Sequence, residues 1–150
     1  MANNTVYVVT GANRGLGLGL TKSLLARPST TVVATVRNDE AAASLEADVA
    51  GIATANNTTL HVMKLDFTTA VPPEQILEAF NASTGGAVTH IDVLICNAGF
   101  APPFVPNVEV RAEDLRAAFE TNSTSFPTLC YFSWYYTINV HLVLPKTPEQ

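Results

Sequence analysis

Short runs of β-branched and apolar residues alternate along the chain with stretches of helical periodicity. Thr5 to Thr10 (TVYVVT) is apolar at nearly every position, the pattern of a strand buried on both faces. After Gly11 to Gly19 comes a helical stretch to Arg27, with Leu16, Leu20 and Leu24 spaced as an apolar stripe and Pro28 as its stop. Thr31 to Val36 (TVVATV) reads as a second buried strand. An Ala-rich helix follows from Glu40 to Ala50, carrying Leu45 and Val49 and loosened at its end by Gly51.

Leu60 to Leu65 is a third strand. Pro72-Pro73 opens a helix, where a fixed φ is tolerated and a missing N–H costs nothing. Its buried stripe is Ile76, Leu77 and Phe80, and Gly85-Gly86 ends it. Ile91 to Cys96 (IDVLIC) is a fourth strand. A Pro-rich loop from Ala101 to Pro106 leads to a helix near Ala112 with Leu115, Phe119 and Asn122 on one face.

Strands separated by helices imply right-handed crossovers and a parallel sheet, hence a doubly wound three-layer α/β/α architecture of Rossmann type. The pattern changes after Asn122. Half of the chain's aromatic residues lie beyond it, and Thr137 to Val143 alternates Ile138, Val140 and Leu142 with Asn139 and His141, as a half-buried strand does. The organisation expected is a nucleotide-binding half over residues 1–122 and a divergent tail over 123–150. Phe126-Pro127 argues against continuing the helix into that tail, because proline disfavours α geometry in the residue before it.

The chain has 150 residues, 47% of them hydrophobic and 14% charged, which suits one domain with a packed core rather than a disordered segment. Its net charge of −5 and the lack of a basic run argue against nucleic acid. The apolar stretch Leu129 to Leu144 is shorter than the ~20 residues of a spanning helix and is interrupted by Asn139 and His141. The N-terminus carries no secretory pattern, so the cytoplasm is the expected compartment. Cys96 and Cys130 form neither a disulfide framework nor a metal spacing. Cys96, within an apolar run, reads as a reduced core residue.

Candidate chemistry gathers at the strand ends. Gly11, Asn13, Arg14, Gly15, Leu16 and Gly17 form a Gly-x-x-x-Gly-x-Gly turn between the first strand and the first helix. Glycines there let the backbone approach a pyrophosphate, and free N–H groups with the helix dipole favour the anion. The second strand closes on neutral Val36 and Arg37, where an NAD site would place an acid about 20 residues beyond the glycine loop. A cation at that point suits the 2′-phosphate of NADP, and Arg14 can approach the same group. Asp39, past the strand end, can cap the next helix. Asp66-Phe67 ends the third strand and Asn97-Ala98-Gly99 the fourth. Ligands of open α/β sheets bind at such carboxyl ends, although a turn-forming Asp66 and a sheet-bracing Asn97 would read the same way.

Together these residues resemble the short-chain dehydrogenase/reductase family. Its glycine motif is matched from Thr10 to Gly17, and its Asn-Asn-Ala-Gly motif at Asn97 to Gly99 with Cys96 in place of the first Asn. Its adenine-contacting acid is matched by Asp66 and its tetrad Asn by Asn122. Within the family, TVYVVTGANRGLG, VVATVRN and IDVLICNAG resemble fungal ketoreductases of the norsolorinic-acid type. The resemblance implies NADP as cofactor, hydride transfer to an aromatic or polyketide-like ketone in secondary metabolism, and Asn122 as the one tetrad member present. The family's catalytic Tyr precedes a Lys by four residues, and a Ser lies upstream. Here Tyr131, Tyr135 and Tyr136 are followed four residues later by Tyr135, Asn139 and Val140, and Ser125 and Ser133 lack the family's context. The expectation is therefore an oxidoreductase that is catalytically incomplete in this chain, with the abrupt tail reading as a truncated product. A non-catalytic nucleotide-binding or interaction module, or a non-functional fragment, are the other readings, and a genuine short variant is the alternative for the tail. Oligomeric state is open.

Overall fold

A computed structural model describes residues 4–101, 106 and 109–136, with side chains up to 130. Strands β1 (Thr5–Val9), β2 (Thr30–Val36), β3 (Thr59–Lys64) and β4 (Val93–Ile95) alternate with helices α1 (Gly15–Leu25), α2 (Asp39–Val49) and α3 (Pro73–Thr84). Helix α4 (Ala112–Phe119), a π-helical turn over Glu120–Thr124 and α5 (Ser125–Tyr136) follow. The sheet is wholly parallel in the order β3-β2-β1-β4. This is the expected doubly wound topology, and the strand order reverses between β1 and β4, where such sheets open a crevice.

Alternation along each strand sorts side chains into two cores. Val6 and Val8 of β1, Val33, Met63 and Leu94 pack with Ile76 and Phe80 of α3 on one face. Val9, Val32, Ala34 and Val36 pack with Leu24, Leu25, Ala41 and Leu45 of α1 and α2 on the other. Central β2 is buried throughout, whereas edge strand β3 is buried only at Met63. Pro73 stands at the start of α3 and Gly85, at φ 60°, ends it in the left-handed region.

Several expectations change. The stripe Leu16–Leu20–Leu24 is not the buried face of α1, because Leu16 is 81% and Leu20 38% exposed. The face turned inward is Gly17, Thr21, Leu24 and Leu25. The helix must bring Gly17 against the Gly11 carbonyl, and Leu16, about 100° round a 3.6-residue turn, then points away. Asn38, not Asp39, caps α2: its side chain accepts from Ala41 N at 2.9 Å. The fourth strand is shorter than expected, and Cys96 just past it is exposed rather than part of the core. β4 is an edge strand of the described sheet, so no described strand pairs with its outer side.

The helix does not stop at Phe126-Pro127. The π-turn adds a residue, with Ser125 N donating to Glu120 O, and α5 runs on from Ser125 with Pro127 just past the turn that shifts the hydrogen-bond ladder. Hydroxyls serve the displaced carbonyls: Ser125 Oγ donates to Glu120 O at 2.5 Å and to Thr121 O at 3.1 Å. Leu129 of α5 then joins the α3 side of the core. The expected strand at Thr137 to Val143 and most of the Pro-rich loop lie outside the described residues. No helix among the described residues is long and apolar enough to cross a membrane.

Candidate functional site

The glycine turn is built by close approach. Gly11 (φ 65°) and Gly15 (φ 54°) adopt conformations that side chains disfavour. A Cβ on Gly11 would lie 2.9 Å from Ala98 Cα, and one on Gly17 would lie 2.2 Å from Gly11 O and 2.6 Å from Asn97 Nδ2. Loop, helix start and β4 end are thus packed backbone to backbone. Arg14 precedes α1 in an extended conformation without capping it through its side chain. The first-turn amides of α1 have no intrahelical acceptor, and no acidic side chain stands in that turn to take them.

Thr10, buried at the end of β1, joins the two strands at the switch point. Its Oγ1 accepts from Asn97 N and Ala98 N, each at 2.9 Å, and donates to Ile95 O at 3.4 Å. The Asn97 side chain returns the tie, donating from Nδ2 to Thr10 O at 2.9 Å and Gly11 O at 3.2 Å. Asn97 is therefore a brace between β1 and β4. Asp66 combines two features: Oδ1 accepts from Thr68 N at 2.9 Å and Thr68 Oγ1 at 2.8 Å, forming an Asx turn, while the residue faces the crevice. Thr121, in the π-turn, donates to Phe67 O at 3.1 Å and fixes the helix to the end of β3.

These ends surround a cavity of about 500 Å³. Of the residues singled out in the sequence, Gly11, Asn13, Arg14, Gly15, Leu16, Arg37, Asp66, Phe67, Asn97, Ala98 and Gly99 all line it. Gly17 does not; it is buried beneath the loop that it allows to form. Asn122 also stands off the cavity. Its Nδ2 donates to Phe100 O at 2.8 Å and its Oδ1 accepts from Phe100 N at 2.9 Å, so both ends of the amide hold the backbone that follows Gly99. Asn38, Glu40, Ser44 and Thr121 line the cavity too and were not singled out in the sequence. Glu40 and Ser44 lie four residues apart on one face of α2, a signal readable once α2 is known to start at the crevice.

The electrostatics are mixed. Arg14 and Arg37 supply two cations and Glu40 and Asp66 two carboxylates, and neither Arg has an ion-pair partner among the described residues. No group of metal-ligating side chains exists among the described residues. Cys96, on the outer side, has its thiol pushed up to about 12 by desolvation first and by nearby Cys130 second. The residue is exposed overall, yet its sulfur lies against enough protein to be held protonated.

Known proteins are similar to this chain in sequence and fold. The family model for short chain dehydrogenase matches residues 5–133. The norsolorinic acid ketoreductase of Dothistroma septosporum is 34% identical over 124 residues, which cover 83% of this chain and 44% of that protein. The norsolorinic acid ketoreductase of Emericella nidulans is 35% identical over 120 residues, covering 79% and 43% respectively. The chain thus spans less than half the length of these relatives. The crystal structure of the KRED1-Pglu enzyme superposes with a TM-score of 0.67 at 30% identity, over 89% of this chain and 51% of that one. A short-chain type dehydrogenase/reductase from Mycobacterium ulcerans, at 20% identity and a TM-score of 0.72 over 91% of this chain and 48% of that one, shares the fold.

Proposed function

The chain belongs to the short chain dehydrogenase family, and from that premise we propose that it binds NADP(H) in the crevice at the β1–β4 switch, as the cofactor half of a ketone reductase. The observation that carries this reading is Arg37. It follows the last residue of β2, lines the cavity and has no ion-pair partner among the described residues, and the strand's last residue is neutral Val36. An acid at this point would accept from a ribose 2′-hydroxyl; a free guanidinium suits a 2′-phosphate.

The residues present fit the dinucleotide. Loop and β4 end meet where a Cβ on Gly11 or Gly17 would clash, which lets backbone amides approach a pyrophosphate at the α1 N-terminus. Asp66 and Phe67 would hold the adenine, and Asn97 to Gly99 would line the ribose beyond. When bound, the cofactor supplies the hydride of a carbonyl reduction. The chain's own residues bind and orient it: Arg14 and Arg37 balance phosphate charge, and Asn122 holds the Phe100 backbone against the cavity wall. The proton is a separate matter, since no Tyr in this sequence has a Lys four residues later. General acid catalysis contributes about 10²–10⁴-fold, so this chain alone binds cofactor without appreciable turnover. An aromatic or polyketide-like ketone is the substrate class of the whole reductase, and the cytoplasm its compartment.

Fluorescence titration with NADPH and NADH tests the reading. Arg37→Asp is expected to weaken NADPH by about 10-fold or more and NADH much less, because a like charge then faces the phosphate. Equal losses for both cofactors would overturn the role of Arg37. NADPH oxidation with an aromatic ketone at enzyme-like rates by the purified chain would overturn catalytic incompleteness.

A further inference from the structure

The rim of the crevice carries an ion pair that the proposed binding does not use. From Val36 to Ala41 every residue lines the cavity except Asp39. Its carboxylate is turned aside to Lys64, whose Nζ donates to Asp39 Oδ1 at 2.8 Å. Lys64 is the last residue of β3, in register with Val36, and it is followed directly by the cavity-lining residues Leu65 and Asp66. The pair therefore bridges the two chain segments that form the adenine end of the crevice.

The pair is not a structural necessity. Its side chains are 57% and 89% exposed, and exposed pairs contribute little to stability. Asp39 lies two residues from Arg37, a cation with no ion-pair partner among the described residues, and an unpaired carboxylate there would add to Glu40 on the cavity wall in opposing an incoming anion.

We propose that Lys64 is a specificity-determining residue: by holding Asp39 it keeps Arg37 available for the 2′-phosphate of a phosphorylated dinucleotide. This rests on the NADP reading above. NAD carries only a neutral 2′-hydroxyl at that position and is far less sensitive to the rim charge. The class of ligand selected is a dinucleotide with a third phosphate, and the selection is electrostatic, so it weakens as salt screens it.

The test uses the full chain and its dissociation constants for NADPH and NADH at low ionic strength, in wild type, Lys64→Met, Asp39→Asn and the double variant, with melting curves to confirm folding. Lys64→Met is expected to weaken NADPH about three- to tenfold and NADH by less than about twofold. Asp39→Asn tightens NADPH. The double variant returns to within about twofold of wild type, because the pair sums to zero charge in both. An unchanged NADPH-to-NADH ratio in Lys64→Met overturns the proposal, and so does a double variant as weak as Lys64→Met, which would mean that Lys64 acts by its own charge alone. Asp39→Asn reads the same rim charge independently should Lys64→Met fail to fold, and an unaltered NADPH affinity there also overturns it. If Arg37→Asp abolishes NADPH preference while the Lys64 series stays flat, the Lys64 proposal fails and the NADP reading stands. A wild-type chain without NADPH preference, or without binding of either cofactor, ends both.

Discussion

Cys96 shows how little a residue's neighbours in sequence say about its surroundings. It ends an apolar run, yet it stands at the outer side of the sheet, exposed, with Cys130 of α5 near enough to raise its pKa. Both thiols are raised, each chiefly by desolvation, so the thiolate is scarce at neutral pH. Alkylation of the folded chain by iodoacetamide at pH 8 is therefore expected to be slower than that of free cysteine. The raised folded value means that stability from the protonated Cys96 thiol is fully present below 9.0 and is lost as pH climbs toward about 12. The melting temperature is expected to fall over that window, less so in Cys96→Ala. A rate equal to free cysteine, with no difference between variants, would remove the desolvation argument. The same scale explains Asn97 and Asp66. The sequence admitted a brace or a turn as readily as a ligand contact, and the structure gives both a local hydrogen-bonding task at the edge of the cavity.

At the scale of elements, the two halves of the last helical segment behave differently. Leu129 of α5 is buried in the α3-side core, whereas Leu115 and Phe119 of α4 are 56% and 62% exposed. The periodicity of α4 was legible, but a stripe shows only which face is apolar, not whether anything covers it. Leu129→Ala is expected to cost about 2–5 kcal/mol, the range of a buried Leu deletion. Leu115→Ala is expected to lie within about 0.5 kcal/mol of wild type. Denaturant melts of the two variants check this, and similar losses would mean that α4 packs more closely than its exposure indicates. The π-turn is the joint between these halves, and it keeps Thr121 on Phe67 O while α5 turns its Leu129 to the core.

For the whole molecule, the four-stranded sheet with helices on both faces carries the crevice at its switch point, and that crevice depends on strand order as much as on motif residues. A ligand that binds only the folded chain raises its stability by mass action, about 2.7 kcal/mol at 100 times Kd. Thermal melts are expected to shift upward with NADPH, and less with NADH at equal concentration. No shift with either would show that this length of chain does not assemble the site. The described sheet has β3 and β4 at its edges, and the curated relatives match this chain over less than half of their own length.

The sequence by itself determined the alternation of strands and helices, the parallel sheet, the glycine turn and the strand-end residues, because each depends on local backbone freedom or on a short period of apolar positions. Eleven of the twelve residues it singled out at the glycine turn and the strand ends line the cavity of the folded chain. Only the tertiary structure decided which face of α1 is buried, since that follows from Gly17 meeting the Gly11 carbonyl rather than from where the leucines fall. It alone carried the helix past Pro127, because a π-turn upstream can reset which residue needs an N–H. It alone paired Asp39 with Lys64, 25 residues away, because charge partners are chosen by strand register and not by distance along the chain.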